Sequence, residues 1–192
     1  MKFYRALALL PLAAAAPTNP SLGDVTSGTP DPTEVHIKAI TYGGTGCPQG
    51  SLDYVISDDR TTQRKNCQLN VDITYPGGFQ YSVFSADYRG YAAIDKGITG
   101  VLKSTYYFSG QTQQTSTEYD FVGPVNGDYL KHDEADSTSV IWSPCGAEGM
   151  LNINSQVRLT STNSSSSGLL TTDSLDAKFL QVVYVGWQTC TA

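Results

Sequence analysis

Charge is scarce in this chain, at 16% of 192 residues, and positive charge scarcer: 12 Lys and Arg stand against 18 Asp and Glu, a net charge of −6. Nucleic acid and anionic membranes are held by basic patches that release counterions, so both are excluded as partners. Histidine is nearly missing, with His36 and His132 alone. Two imidazoles and no C-x-x-C spacing leave a zinc cluster short of ligands. A serine hydrolase would also need its serine on a G-x-S-x-G turn, and no such turn occurs. Both histidines therefore read as packing or surface residues. No run beyond the first residues is long and apolar enough to cross a bilayer, and GWQTCTA at the C-terminus is no lipid-anchor signal. No amphipathic helix of twelve or more residues is found.

What is present begins with MKFYRALALLPLAAAAP. Lys2 and Arg5 precede a short apolar run, and Ala13-x-Ala15 gives the small-residue pattern of a cleavage site. Residues 1–15 are expected to be a signal peptide. Residues 16–33, broken by Pro17, Pro20, Pro30 and Pro32, form a flexible leader, and residues 34–192 a single released domain. On that route Cys47, Cys67, Cys145 and Cys190 are oxidised rather than free. Three pairings are open, and spacing does not choose among them. Cys47 with Cys67 and Cys145 with Cys190 is favoured, because each bridge then closes one half of the domain without interlacing. Cys145, within WSPCG, reads as a staple; a nucleophile there would need a free thiol and a histidine base.

Period-two alternation recurs from Glu34 onward. HIKAIT and LDYVIS alternate, LNVDITYP puts Leu69, Val71 and Ile73 on one face, and FQYSVFSADYRGY does the same with Phe79, Tyr81 and Val83. The last two, separated by Pro76-Gly77-Gly78, read as a hairpin. Thr105–Ser109, Thr115–Val122, Ser139–Trp142, Leu151–Thr160 and Lys178–Trp187 read as further strands, with turns at Gly123-Pro124, Asn126-Gly127 and STNSSSSG. Leu175–Leu180 could instead be a helical turn. The expected fold is all-β, an antiparallel β-sandwich, with a partly closed barrel second.

Candidate chemistry falls into three groups. Glu118 and Asp120, two apart on a strand, share a face and could form an acid pair of the glycosidase kind; solvent exposure is the bland alternative. Asp128, Asp133, Glu134 and Asp136 around His132 supply the hard oxygen ligands that calcium accepts, yet match no EF-hand spacing, and a solvated acidic loop is the alternative. No other cofactor is suggested. Twelve tyrosines are many for this length, and Tyr88, Tyr91, Tyr106 and Tyr107 recur beside turns. Their rings could stack on sugars, or pack across strands. Asn163-Ser164-Ser165 is a sequon in a serine-rich loop, where a glycan is expected.

GTGCPQGS, RKNCQLN, YPGGFQYSV, DYRGYAAIDKGITG, STYYFSG and WSPCGAEGMLNINSQVRL together resemble a family of fungal secreted proteins known only as a domain of unknown function. The resemblance covers nearly all of the chain after the leader. It implies a secreted four-cysteine β domain and brings no catalytic residues. One departure stands out: relatives carry a longer segment before RKNC, whereas here only DDRTTQ separates Ser57 from Arg64. The combined reading is a non-catalytic, secreted, disulfide-stapled sandwich at the fungal cell surface, touching wall polysaccharide or a host surface. A small glycan hydrolase using carboxylates and a purely structural wall protein are the competing readings.

Overall fold

A computed structural model describes residues 28–47, 54–56, 64–146, 148–161, 166–172 and 181–191. The expected signal peptide, most of the leader, DDRTTQ, Asn163 and Leu175–Leu180 lie outside them. Ten strands are described: β1 (His36–Gly43), β2 (Tyr54–Ile56), β3 (Arg64–Thr74), β4 (Phe79–Ile94), β5 (Ile98–Phe108), β6 (Gln114–Val122), β7 (Val125–Glu134), β8 (Glu148–Ser161), β9 (Gly168–Thr172) and β10 (Gln181–Thr189). They make an antiparallel sandwich of two sheets, and neither sheet closes into a barrel.

The first sheet runs β1-β3-β8-β5-β6. The second is built on β4. Strand β7 pairs with its residues Ser85–Ile94, while β10 pairs with Phe79–Tyr88 and β9 with Gly90–Ile94. Because β7 overlaps both partners' ranges, it must occupy the opposite edge of β4, leaving β10 and β9 end to end along the other. β2 lies outside β9.

Alternation accounts for β4, with one interruption. Tyr81 and Val83 point into the core, then Ala86, Tyr88, Gly90, Ala92 and Ile94, so the inward rows change from odd to even numbers. The ladder to β10 shows why: Val185 pairs with Val83 and Tyr184 with Ser85, leaving Phe84 as the extra residue of a bulge. The change of phase keeps both halves of a 16-residue strand packed on one core.

Three expectations are corrected. β3 and β4 are not a hairpin, since β1 and β8 already occupy both edges of β3; Pro76-Gly77-Gly78, with Gly78 at φ +84°, instead carries the chain to the other sheet. Ser139–Trp142 is no strand: Ser139 ends a 3-10 turn at Ser137–Ser139, and Val140–Trp142 follow it outside either sheet. That segment is tied to β4 twice, by Ser143 N–H to the Tyr81 carbonyl (2.8 Å) and by Tyr81 N–H to Ser143 Oγ (3.0 Å). Asn126-Gly127, expected to turn, lies inside β7, where the register to β4 is continuous.

The core is rich in aromatics. Tyr75, Tyr81, Phe108 and Trp187 meet at centroid distances of 5.1–5.5 Å, mostly edge to face. Gly90 is required by the same packing: a Cβ there would lie 2.0 Å from the Thr171 carbonyl oxygen and 2.6 Å from the Tyr129 hydroxyl. Cys47 is bonded to Cys67 and Cys145 to Cys190, the uninterlaced pairing.

Candidate binding face

The outer face of the second sheet collects side chains that the sequence scatters. Register sets His132 of β7 and Val182 of β10 on either side of Asp87, Leu130 beside Arg89, and Asp128 beside Tyr91. Tyr184 stands opposite Ser85, one step along β10's outer row. At the centre His132 Nδ1 lies 2.5 Å from Asp87 Oδ1, and the Tyr184 hydroxyl donates to Asp87 Oδ2 at 2.7 Å. The two rings meet edge to face, centroids 5.7 Å apart. One carboxylate thus fixes both rings.

Electrostatics follow from these bonds. The hydrogen bond from His132, joined by that from Tyr184, holds the Asp87 carboxyl below the ordinary carboxylate range. The same carboxylate pushes the Tyr184 phenol up, because ionising it would give up the hydrogen bond it donates to Asp87 and set two anions together. Tyr184 therefore stays a neutral donor. Tyr184 is nonetheless 46% exposed, and Leu130 (70%) and Val182 (38%) extend the apolar surface around it. A depression of about 330 Å³ adjoins Leu130, bordered by Arg89 and Asp128.

The residues singled out in the sequence separate. Tyr88 and Tyr106 are corrected from candidate ligand contacts to core residues: they sit on inward rows, and both hydroxyls meet Thr117 Oγ1, at 2.5 and 3.0 Å. Tyr91 is on the outer face of the second sheet, half-buried, donating to Asn126 Oδ1 at 2.5 Å. Tyr107 is half-buried on the far side of the sandwich, beside Asn152. The acidic group does not converge either, because β7 alternates. Asp128 and Glu134 point outward, Asp133 accepts the Glu118 N–H at 2.6 Å, and Asp136 caps the 3-10 turn through Thr138 N–H at 2.9 Å. Among the described residues no three carboxylate, imidazole or thiol groups gather as a metal site would require. Glu118 and Asp120 share the exposed face of β6, where Glu118 is held in an ion pair with Lys103 at 2.6 Å. Asp87 and Tyr184 were not marked in the sequence, since only strand register unites positions 87, 132 and 184.

The profile of the family described as "Domain of unknown function (DUF4360)" matches residues 33–63 and 60–190. The chain belongs to the DUF4360 family. The match to DUF4360 comes in two pieces, and the break falls on the short DDRTTQ connection. An "Uncharacterized secreted protein" of Arthroderma benhamiae is 56% identical over 182 residues, covering 84% of this chain and 74% of that one. This DUF4360 chain is likewise secreted. Among solved structures, TmCBM61 in complex with β-1,4-galactotriose is 14% identical, covering 80% of this chain and 91% of its own, with a TM-score of 0.31. That overlap is too loose to match surface residues of the two proteins.

Proposed function

We propose that this DUF4360 domain is a non-catalytic polysaccharide-binding module of the fungal wall or its surroundings, and that the outer face of the second sheet is its binding surface. The observation that carries the reading is Tyr184: an exposed side chain, hydrogen-bonded to Asp87 and packed against His132, amid exposed aliphatic side chains on the outer face of the sheet. A pre-ordered ring stacks on a sugar without first losing rotamer freedom. Asp87, Arg89, Asp128 and His132 around it offer the donors and acceptors that sugar hydroxyls need. Secretion after cleavage at Ala15 and a glycan at Asn163 belong to the same reading, and intact-mass measurement before and after deglycosylation checks both.

The test is incubation of the secreted protein with insoluble chitin, β-glucan and cellulose. Protein in the pellet, with no reducing sugar in the supernatant and with loss of retention in Tyr184→Ala, is the expected result. Reducing sugar in the supernatant would make the protein a hydrolase and overturn it.

A further inference from the structure

Next to the Tyr184 surface lies a groove of about 430 Å³, between the β5–β6 turn and the Val140–Cys145 segment. Gln111 and Gln113 reach it from the turn, Gln80 from β4, and Trp142 and Pro144 from the segment. None of the described residues lining it is charged. No hydrogen bond joins the three glutamine amides to another described residue. Each amide keeps a donor and an acceptor to offer, the combination that matches a hydroxyl or an acetamido group and gives an ion no counter-charge. Trp142, half-buried, adds an indole surface.

The groove is also continuous with the face already described. Trp142 packs edge to face on Phe84, centroids 5.9 Å apart. Phe84 in turn lies against Gly186, where a Cβ would come within 2.1 Å of its ring. Gly186 is two residues from Tyr184 on the same row of β10, roughly 7 Å along the strand. The bulge that expels Phe84 from the inward row is what brings it into this line.

Resting on the glycan-face reading, we propose that the Trp142 groove is a further sugar subsite, selective for uncharged hexose or N-acetylhexosamine units, and that one glycan chain occupies it together with Tyr184. Binding should accordingly rise with chain length, until both sites are filled, and change little with salt.

The experiment measures binding of the full secreted protein to uncharged β-glucan and chitin oligomers of increasing length, with Gln111→Ala/Gln113→Ala, Trp142→Ala and Tyr184→Ala variants. The double glutamine variant alters only turn side chains and should melt like the parent while binding long oligomers about tenfold more weakly. Trp142→Ala should act in the same direction and abolish any oligomer-induced change in tryptophan fluorescence. Unchanged affinity of the glutamine variant, with loss in Tyr184→Ala, overturns the groove and leaves the face reading standing. Loss in the glutamine variant with none in Tyr184→Ala keeps the groove and overturns the face. A parent that binds charged glycans more tightly, with affinity falling as salt rises, overturns the proposed selectivity; one that binds no glycan overturns both readings.

Discussion

Tyr81 and Tyr88 are both buried in β4, and their hydroxyls have opposite circumstances. The Tyr88 hydroxyl meets Thr117 Oγ1 at 2.5 Å, whereas the Tyr81 hydroxyl has no partner among the described residues. Removing a satisfied buried hydroxyl strands its partner, while removing an unsatisfied one relieves a desolvation cost. Tyr88→Phe should therefore lose about 1 kcal/mol and Tyr81→Phe lose nothing or gain, as read from urea midpoints. Neither should alter glycan retention, since neither side chain reaches the surface. Tyr184→Ala should do the reverse, weakening retention about tenfold, or ~1.4 kcal/mol, with little change in stability. The sequence makes these three tyrosines look alike. What distinguishes them is the inward or outward row, and in β4 that depends on a bulge at Phe84 that no local signal announces.

At the scale of elements, the segment carrying WSPCG is held to β4 by Ser143 and to the end of β10 by the Cys145–Cys190 bridge. The bridge closes a loop of 45 residues, so Cys145→Ser/Cys190→Ser should cost ~2–4 kcal/mol in denaturant unfolding. Loosening that segment should also weaken binding at Trp142. Most strands were readable because a half-buried strand must alternate. β7 escaped because Asn-Gly and three acidic residues, Asp128, Asp133 and Glu134, suggest a loop; in fact β7 is an edge strand with an exposed outer row, where charge carries little penalty. β9 escaped for its shortness, five residues directly after a serine-rich stretch. The supposed hairpin failed for a different reason: a turn motif specifies a reversal, not which sheet receives the next strand.

For the whole molecule, the aromatic core sets an upper pH limit. Burial raises the phenol pKa values of Tyr81, Tyr106 and Tyr129 above the ordinary 10.0, so the folded state keeps protons that the unfolded chain gives up. Their stabilising contribution is complete below pH 10 and is lost as pH rises above it. Circular dichroism and tyrosinate absorbance should change together in one cooperative alkaline transition. At the acid end the sign reverses. Asp87, bonded to His132 and Tyr184, and Asp31 and Asp136, each capping a 3-10 turn through a threonine, have carboxyls below the ordinary 3.8. Their contribution is present above that value and disappears as pH falls through the folded pKa values, with Asp87→Asn expected to flatten part of the acid limb in a melting-temperature series. The odd-to-even switch at Phe84 has a consequence for descent as well. Gaining or losing a single residue within a strand exchanges its buried and exposed rows, whereas a pair leaves them alone, so lineages of this fold should vary their strands by even numbers. β4 has an additional outlet: deleting one residue at the bulge would restore continuous alternation, and the face bearing Phe84, Trp142 and Tyr184 would be the part that paid for it.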